Sequence, residues 1–156
     1  MVGRPLVGNA CVTLAPMKHF ETTTTIAATP ETIWALLTDA ASYPAWNTTV
    51  DRIEGRIAPG DKLKVHVRNN PSRAFPVKVT EFTPPQRMVW TGGMPLGLFK
   101  GERTFTLTPA GDSVRFTMRE TFTGPLLPLI GRSIPDLQPT FDEFAAALKR
   151  RAESGA

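Results

Sequence analysis

From Leu126 to Arg151 the apolar residues Ile130, Ile134, Leu137, Phe141, Phe144 and Leu148 recur at alternating steps of four and three, the spacing of one helix face. Asp142, Glu143, Lys149, Arg150 and Arg151 fall on the opposite side, so the helix is expected to lay its apolar stripe on a core built by earlier residues. Pro135 and Pro139 cannot both lie deep in a regular helix, because each lacks a donor and crowds the carbonyl four residues back. With Asp136 as N-cap, Pro139 takes the third helical position, where a missing N–H costs nothing. The pattern predicts a helix over Leu137–Ala152, preceded by a proline-interrupted helical lead from about Leu126.

Ahead of this helix the period is two. The run from His19 to Ile26 is rich in β-branched residues and reads as a first strand. Thr29 is a good N-cap with Pro30 behind it, opening a short helix to about Thr38 that buries Ile33, Leu36 and Leu37, with Trp34 nearby. Ser42 caps one more turn ending near Trp46. Strands are then expected at Thr49–Arg56, Lys62–Arg68, Ala74–Phe82, Arg87–Thr91, Lys100–Thr108 and Ser113–Phe122, separated by Pro, Gly, Asn and Asp turn residues. Connections this short make neighbours antiparallel. The fold class is α+β: a curved seven-stranded antiparallel sheet wrapped around a long C-terminal helix, with two short helices after the first strand.

Alternation also decides which side chains share a face. Phe105 and Leu107 face inward on one strand, and Val114, Phe116, Met118 and Phe122 on the next; the same parity places Arg103 and Glu120 inward. An unpaired charge there costs several kcal/mol. Two readings are open: a satisfied ion pair within a core, or the polar anchor of a cavity that takes a ligand carboxylate, hydroxyl or carbonyl. If the Pro84-Pro85 turn pairs Val79 with Trp90, Trp90 and Met88 point inward as well. The loop GGMPLGLF beyond Trp90 offers an apolar tip to cover a pocket mouth. The candidate ligand-binding residues are therefore Arg103, Glu120, Trp46, Trp90, Phe105, Met118, Leu137 and Phe141, while Phe141 and Phe144 are large enough to turn a pocket into a core.

Composition narrows the function. The chain has 156 residues, 41% hydrophobic and 21% charged, which fits one ligand-binding domain over residues 18–156. Residues 1–17, broken by Pro5, are expected to form a loose arm, with translation from Met17 as the alternative. Cys11, His19 and His66 cannot assemble a zinc site, so no metal and no cofactor are expected. The single cysteine fits a reducing, cytoplasmic setting. No apolar run reaches transmembrane length, so no stable membrane insertion is expected. The formal charge of +4 comes partly from Lys62, Lys64, His66 and Arg68, which alternate with Leu63, Val65 and Val67 as the wet face of a strand. No nucleic acid partner is expected, since no aromatic-interleaved groove accompanies the charge. The sequence specifies no oligomeric state.

Three segments together, TPETIWALLTDAASYPAWN, VTEFTPPQRMVW and the GERTFTLTP…VRFTMRETFTG hairpin, resemble the START-like (SRPBCC) superfamily that includes polyketide cyclase/dehydrase-like and lipid-transfer proteins. The resemblance spans about Phe20 to Glu153. It implies the helix-grip fold, with a cavity for hydrophobic ligands between sheet and C-terminal helix. Within that family the position of Arg103 is often histidine, and that of Glu120 commonly acidic. Arginine effectively never gives up its proton, so the exchange favours binding over proton transfer.

The leading expectation is a binding or transfer protein for a hydrophobic or aromatic small molecule. The alternative is an aromatase/cyclase- or dehydratase-type enzyme using Glu120 as acid/base, with Arg103 clamping a developing enolate; loss of turnover with retained binding in Glu120→Gln would mark it. Whether the chain is an enzyme is left open at this level. A third class, an interaction module, would need an apolar patch outside the cavity. Nucleophilic catalysis lacks a Gly-x-Ser-x-Gly elbow, and the glycines near Gly92 lack the Lys-Ser/Thr of a phosphate loop.

Overall fold

A computed structural model describes residues 17–70 and 72–155. The strands are β1 (Met17–Ile26), β2 (Val50–Glu54), β3 (Lys62–Val67), β4 (Ala74–Thr83), β5 (Arg87–Gly93), β6 (Lys100–Ala110) and β7 (Ser113–Thr123), and the α-helices are α1 (Pro30–Thr38), α2 (Tyr43–Trp46), α3 (Leu127–Ile130) and α4 (Gln138–Ser154). The expected arm over residues 1–17 lies outside the described residues except for Met17, which opens β1. Cys11 lies outside them too.

The strands form one antiparallel sheet in the order β1-β7-β6-β5-β4-β3-β2, the meander that short turns require, with β1 closing on β7. Thr29 Oγ1 accepts the Thr32 N–H at 3.2 Å to cap α1. Ile33, Trp34 and Leu37 are buried on α1, so Trp34 rather than Leu36 completes its inner face. β2 stops at Glu54, earlier than expected, because Gly55 turns the chain at φ 108°. β5 and β6 run longer than expected, β5 through Gly93, which pairs Lys100, and β6 through Ala110, which pairs Ser113.

The C-terminal helix differs from expectation at its start. The lead is broken, not merely kinked: α3 gives way to a 3-10 turn at Gly131–Ser133, and Ile134 leaves helical space at φ −77°, ψ 116°. Pro135 explains the break, since the residue before a proline is pushed out of the α region. α4 then runs Gln138–Ser154, its first backbone bond passing from Phe141 N to Leu137 O at 2.9 Å. Asp136 Oδ1 accepts the Gln138 N–H at 3.0 Å. The expected cap residue thus satisfies an orphan donor of the first turn, from one place further out than the helix bounds imply. Phe141, Phe144, Ala145, Leu148 and Ala152 form its buried face.

A polar clasp fixes the far end of α4 to the sheet. Glu153 Oε2 accepts from Ala27 N and from Lys149 Nζ, each at 2.8 Å, and Lys149 Nζ also donates to Thr25 O at 2.7 Å. The Lys149 hydrogen bond first, and the Ala27 N–H second, hold the Glu153 carboxyl below its ordinary value. A carboxyl whose pKa is lower folded than unfolded stabilises the fold above its unfolded range and loses that contribution as pH falls through the folded value. Glu153→Gln is therefore expected to flatten the dependence of the urea midpoint on pH between about 6 and about 3. An unchanged slope would show that the clasp carries no pH dependence. Among the described residues no helix is long and apolar enough to cross a membrane.

Candidate functional site

Cross-strand register builds the site. Val79 pairs Trp90, Trp90 pairs Arg103, Arg103 pairs Glu120, and Glu120 pairs Phe20. One row across five strands thus carries the two charges, with aromatic side chains at either side of them. The register follows from the tight Gly111-Asp112 turn, which pairs Ala110 with Ser113, so Arg103 and Glu120 are directly opposite. The adjacent row, Met88–Phe105–Met118–Thr22, is buried. On the other side lies Gly92–Gly101–Phe122–Lys18, where two glycines contribute no side chain.

Between this surface, the α3–α4 connection and the start of α4 is a cavity of about 620 Å³. Trp90, Arg103, Met118, Glu120, Leu137 and Phe141 line it, with Phe144, Phe122, Ile130, Ile134 and Gly101. Its mouth is marked by exposed Asn69, Asn70 and Arg73 on one side and Ser133 and Pro135 on the other. Phe141 and Phe144 form walls and do not fill the space. A second depression of about 580 Å³, over Lys62, Lys64 and Lys78, is an outer groove walled by strand lysines rather than an interior site.

Trp46 and Phe105 do not reach the cavity surface. Phe105 is fully buried, its ring centroid 4.8 Å from that of Trp90 and 6.1 Å from that of Phe144. Trp46 packs edge-on against Phe144 at 5.8 Å and lies 4.9 Å from Tyr43. Both support the lining from behind. The GGMPLGLF loop is also placed differently from expectation. Met94 and Phe99 line the cavity, but Leu96, at φ 62° and 96% exposed, is not part of the lining. This loop packs on the turn after β7, where Leu98 O accepts from Leu126 N at 3.0 Å. Gly124 is required there: at φ 116°, a Cβ would come within 2.5 Å of Leu98 O.

Arg103 donates from Nε at 2.8 Å and from Nη2 at 2.5 Å, both to Glu120 Oε2. The guanidinium carbon lies 5.0 Å from the centroid of Phe141, a cation–π contact that fixes the fork's plane. The two side chains are 21% and 16% exposed, so the pair is largely withdrawn from water. Glu120 Oε1 takes no hydrogen bond among the described residues; it lies 3.5 Å from where a Cβ on Gly101 would be. Tyr43, behind the lining, donates its hydroxyl to Leu37 O at 2.7 Å. Burial pushes the Tyr43 pKa up, against a smaller opposing effect of Arg103, which keeps the phenol neutral and unavailable as a base.

The residues missed from sequence are the glycines and the rim. Gly101 shares the parity of Arg103, so alternation could have placed it inward, but a missing side chain gives no hydropathy signal. Ile130 and Ile134 were read as part of the helix stripe; the break at Pro135 moves them to the cavity rim.

A comparison with curated proteins finds no match. Among solved structures, a START superfamily protein from Mycobacterium smegmatis is 21% identical over 88% of this chain and 99% of its own, with a TM-score of 0.63. A hypothetical protein from Helicobacter pylori is 13% identical over 86% and 88%, with a TM-score of 0.71. Truncated norcoclaurine synthase from Thalictrum flavum is 16% identical over 88% and 94%, with a TM-score of 0.63. At these identities the likeness shows the fold alone, the helix grip. A family model described as polyketide cyclase / dehydrase and lipid transport matches residues 17–153, so the chain belongs to that START-like family.

Proposed function

We propose that residues 18–156 form a binding or transfer domain that holds a hydrophobic or aromatic small molecule in the cavity between the sheet and α4. The observation that carries this reading is the Arg103–Glu120 pair set in an otherwise apolar wall, beside open space of ligand size. The fold leaves carriers and enzymes equally possible. The chemistry of the lining favours a carrier: Arg103 cannot act as a base, and Glu120 is the only carboxylate among the described lining residues. One observation supports the cyclase- or dehydratase-type alternative, namely that Glu120 Oε1 takes no hydrogen bond among the described residues, and an acid/base needs such an oxygen.

The test is non-denaturing mass spectrometry of the purified protein beside a Gly101→Leu variant. A new side chain at Gly101 enters the space above Glu120, where even a Cβ meets Phe122 at 3.3 Å. The parent is expected to carry a small apolar molecule. The variant is expected to lose it and to bind the extracted molecule at least about tenfold more weakly, with an unchanged far-ultraviolet circular dichroism spectrum. Equal loading of both proteins would place the ligand elsewhere and end the cavity reading.

A further inference from the structure

On the outer face of the sheet the charges are paired on one half and unpaired on the other. Across β5, β6, β7 and β1, with the end of β4, Arg87 meets Glu81 at 2.9 Å, Lys100 meets Glu102 at 2.6 Å and Arg119 meets Glu21 at 3.5 Å. On β3 and β4 the alternation that buries Leu63, Val65 and Val79 turns Lys62, Lys64 and Lys78 to water. Among the described residues none of these three amines has an ion-pair partner. The neighbouring carboxylates are spent elsewhere. Glu54 stands opposite Lys64, but its Oε2 lies 2.7 Å from His66 Nε2, and Asp61 Oδ2 accepts from Arg56 Nε at 3.0 Å.

The register makes this arrangement costly. Lys62 is directly opposite Lys78, and like charges so placed destabilise a sheet. Their Cβ atoms start about 5 Å apart, and Lys64, one diagonal along, starts about 7 Å from Lys78, so three long side chains share one patch. The same three lysines wall the outer groove of about 580 Å³, whose lining also includes Pro76 and Val77. A volume of that order suits a small molecule.

The chemistry of the amines narrows what fits. Lysine ammonium groups are compact point charges that meet phosphate oxygens from any direction, whereas a planar carboxylate is better matched by the fork of an arginine. Each amine is exposed, and one exposed ion pair contributes little. A ligand therefore needs several charges close together to gain from all three. A phosphate ester or diphosphate supplies them on tetrahedral centres, and its organic part can rest on Pro76 and Val77.

We propose that this outer groove is an anion site for organic phosphates carrying at least two negative charges, held by Lys62, Lys64 and Lys78. It is separate from the cavity between sheet and α4 and does not depend on what that cavity holds. The shared chemistry is the phosphate ester, whether free in solution or on a phospholipid headgroup.

Isothermal titration of the full chain with ADP, AMP, adenosine and inorganic pyrophosphate tests the free form. Co-sedimentation with phosphatidylcholine vesicles containing phosphatidic acid tests the headgroup. The ionic strength is set at about 0.1 M, where the screening length is about 10 Å. ADP is expected to bind at least about fivefold more tightly than AMP, and adenosine at least about tenfold more weakly than AMP. Lys62→Gln, Lys64→Gln and Lys78→Gln are each expected to weaken ADP and pyrophosphate about threefold to tenfold. Arg115→Gln makes the same change in net charge elsewhere on the outer face. The row from Lys78 runs through Thr91 and Glu102 to Thr121, so Arg115 lies about 14 Å across the sheet and about 20 Å along it, beyond the screening length. Its effect is expected to stay below about twofold.

Capture of the phosphatidic acid vesicles without binding of ADP, lost in the same lysine variants, would support the site and assign it to a headgroup. Equal losses in Lys78→Gln and Arg115→Gln would reduce the effect to net charge and overturn the proposal. So would ADP and pyrophosphate binding no more tightly than adenosine, with the vesicles also left unbound. Circular dichroism of each variant checks folding, and the ranking of the four soluble probes on the parent protein stands without any variant.

Discussion

Phe144→Ala is expected to lower the free energy of unfolding by about 3–4 kcal/mol, within the usual range for truncating a buried phenylalanine. Phe144 is 1% exposed and is where α4 engages both the sheet and the small helices. Its ring lies 6.4 Å from Tyr43, 5.8 Å from Trp46, 6.1 Å from Phe105 and 6.3 Å from Phe116, centroid to centroid. Removing it takes contacts from four aromatic neighbours on three different elements, α2, β6 and β7. The site cannot collapse to recover them, because Phe144 also walls the cavity, and the void would merge with space that is already there. The loss is a large share of the total stability of a domain this size. Urea unfolding followed by circular dichroism measures it. Phe144→Leu, which keeps most of the volume, should recover more than half. A loss below about 1 kcal/mol for the alanine variant would mean that the sheet closes over the gap and that α4 is held mainly elsewhere.

The parts of this architecture that repeat were legible in the sequence, and the parts that depend on where one element lands on another were not. Period two placed Arg103 and Glu120 on one face; that they stand directly opposite is decided by the register of the turn at Gly111-Asp112. Proline and threonine at the start of α1 marked its boundary because capping is a local interaction. Phe105 was inward by the same logic as Trp90 and Met118, yet only the latter two reach the cavity. Whether an inward residue is core or lining is decided by the ring set over it, here Phe144, and that contact joins residues far apart in sequence. Likewise the stripe from Ile130 to Leu148 has perfect helical spacing, but Pro135 forces Ile134 into extended backbone, and the spacing then describes two pieces instead of one. Gly101 was the least legible feature, since the cavity floor there consists of an absence.

The second large effect separates an anchor from an ordinary surface pair. Glu120→Leu is expected to cost about 3 kcal/mol in stability, whereas the double variant Arg103→Leu with Glu120→Leu should fall within about 1 kcal/mol of the parent or exceed it. The single change leaves the Arg103 guanidinium over Phe141 with no carboxylate in the lining to meet it. A guanidinium has no way to shed its charge at any pH the fold survives. Arg103→Leu leaves the opposite problem, a lone carboxylate, but a carboxyl can take up a proton. Its destabilisation should therefore shrink as the solution is acidified, and that of Glu120→Leu should not. The double variant removes both desolvation costs together and puts two apolar side chains into a row already flanked by Trp90 and Phe20. Chemical denaturation of the four proteins at two pH values closes the cycle. Additive single effects, each below about 0.5 kcal/mol, would mean that both charges are hydrated independently, as at an exposed salt bridge. The cavity wall would then hold no desolvated polar anchor. Strong coupling combined with loss of ligand in the stable double variant would show the reverse: two charges that add nothing to the fold and whose place in it is explained by what they hold.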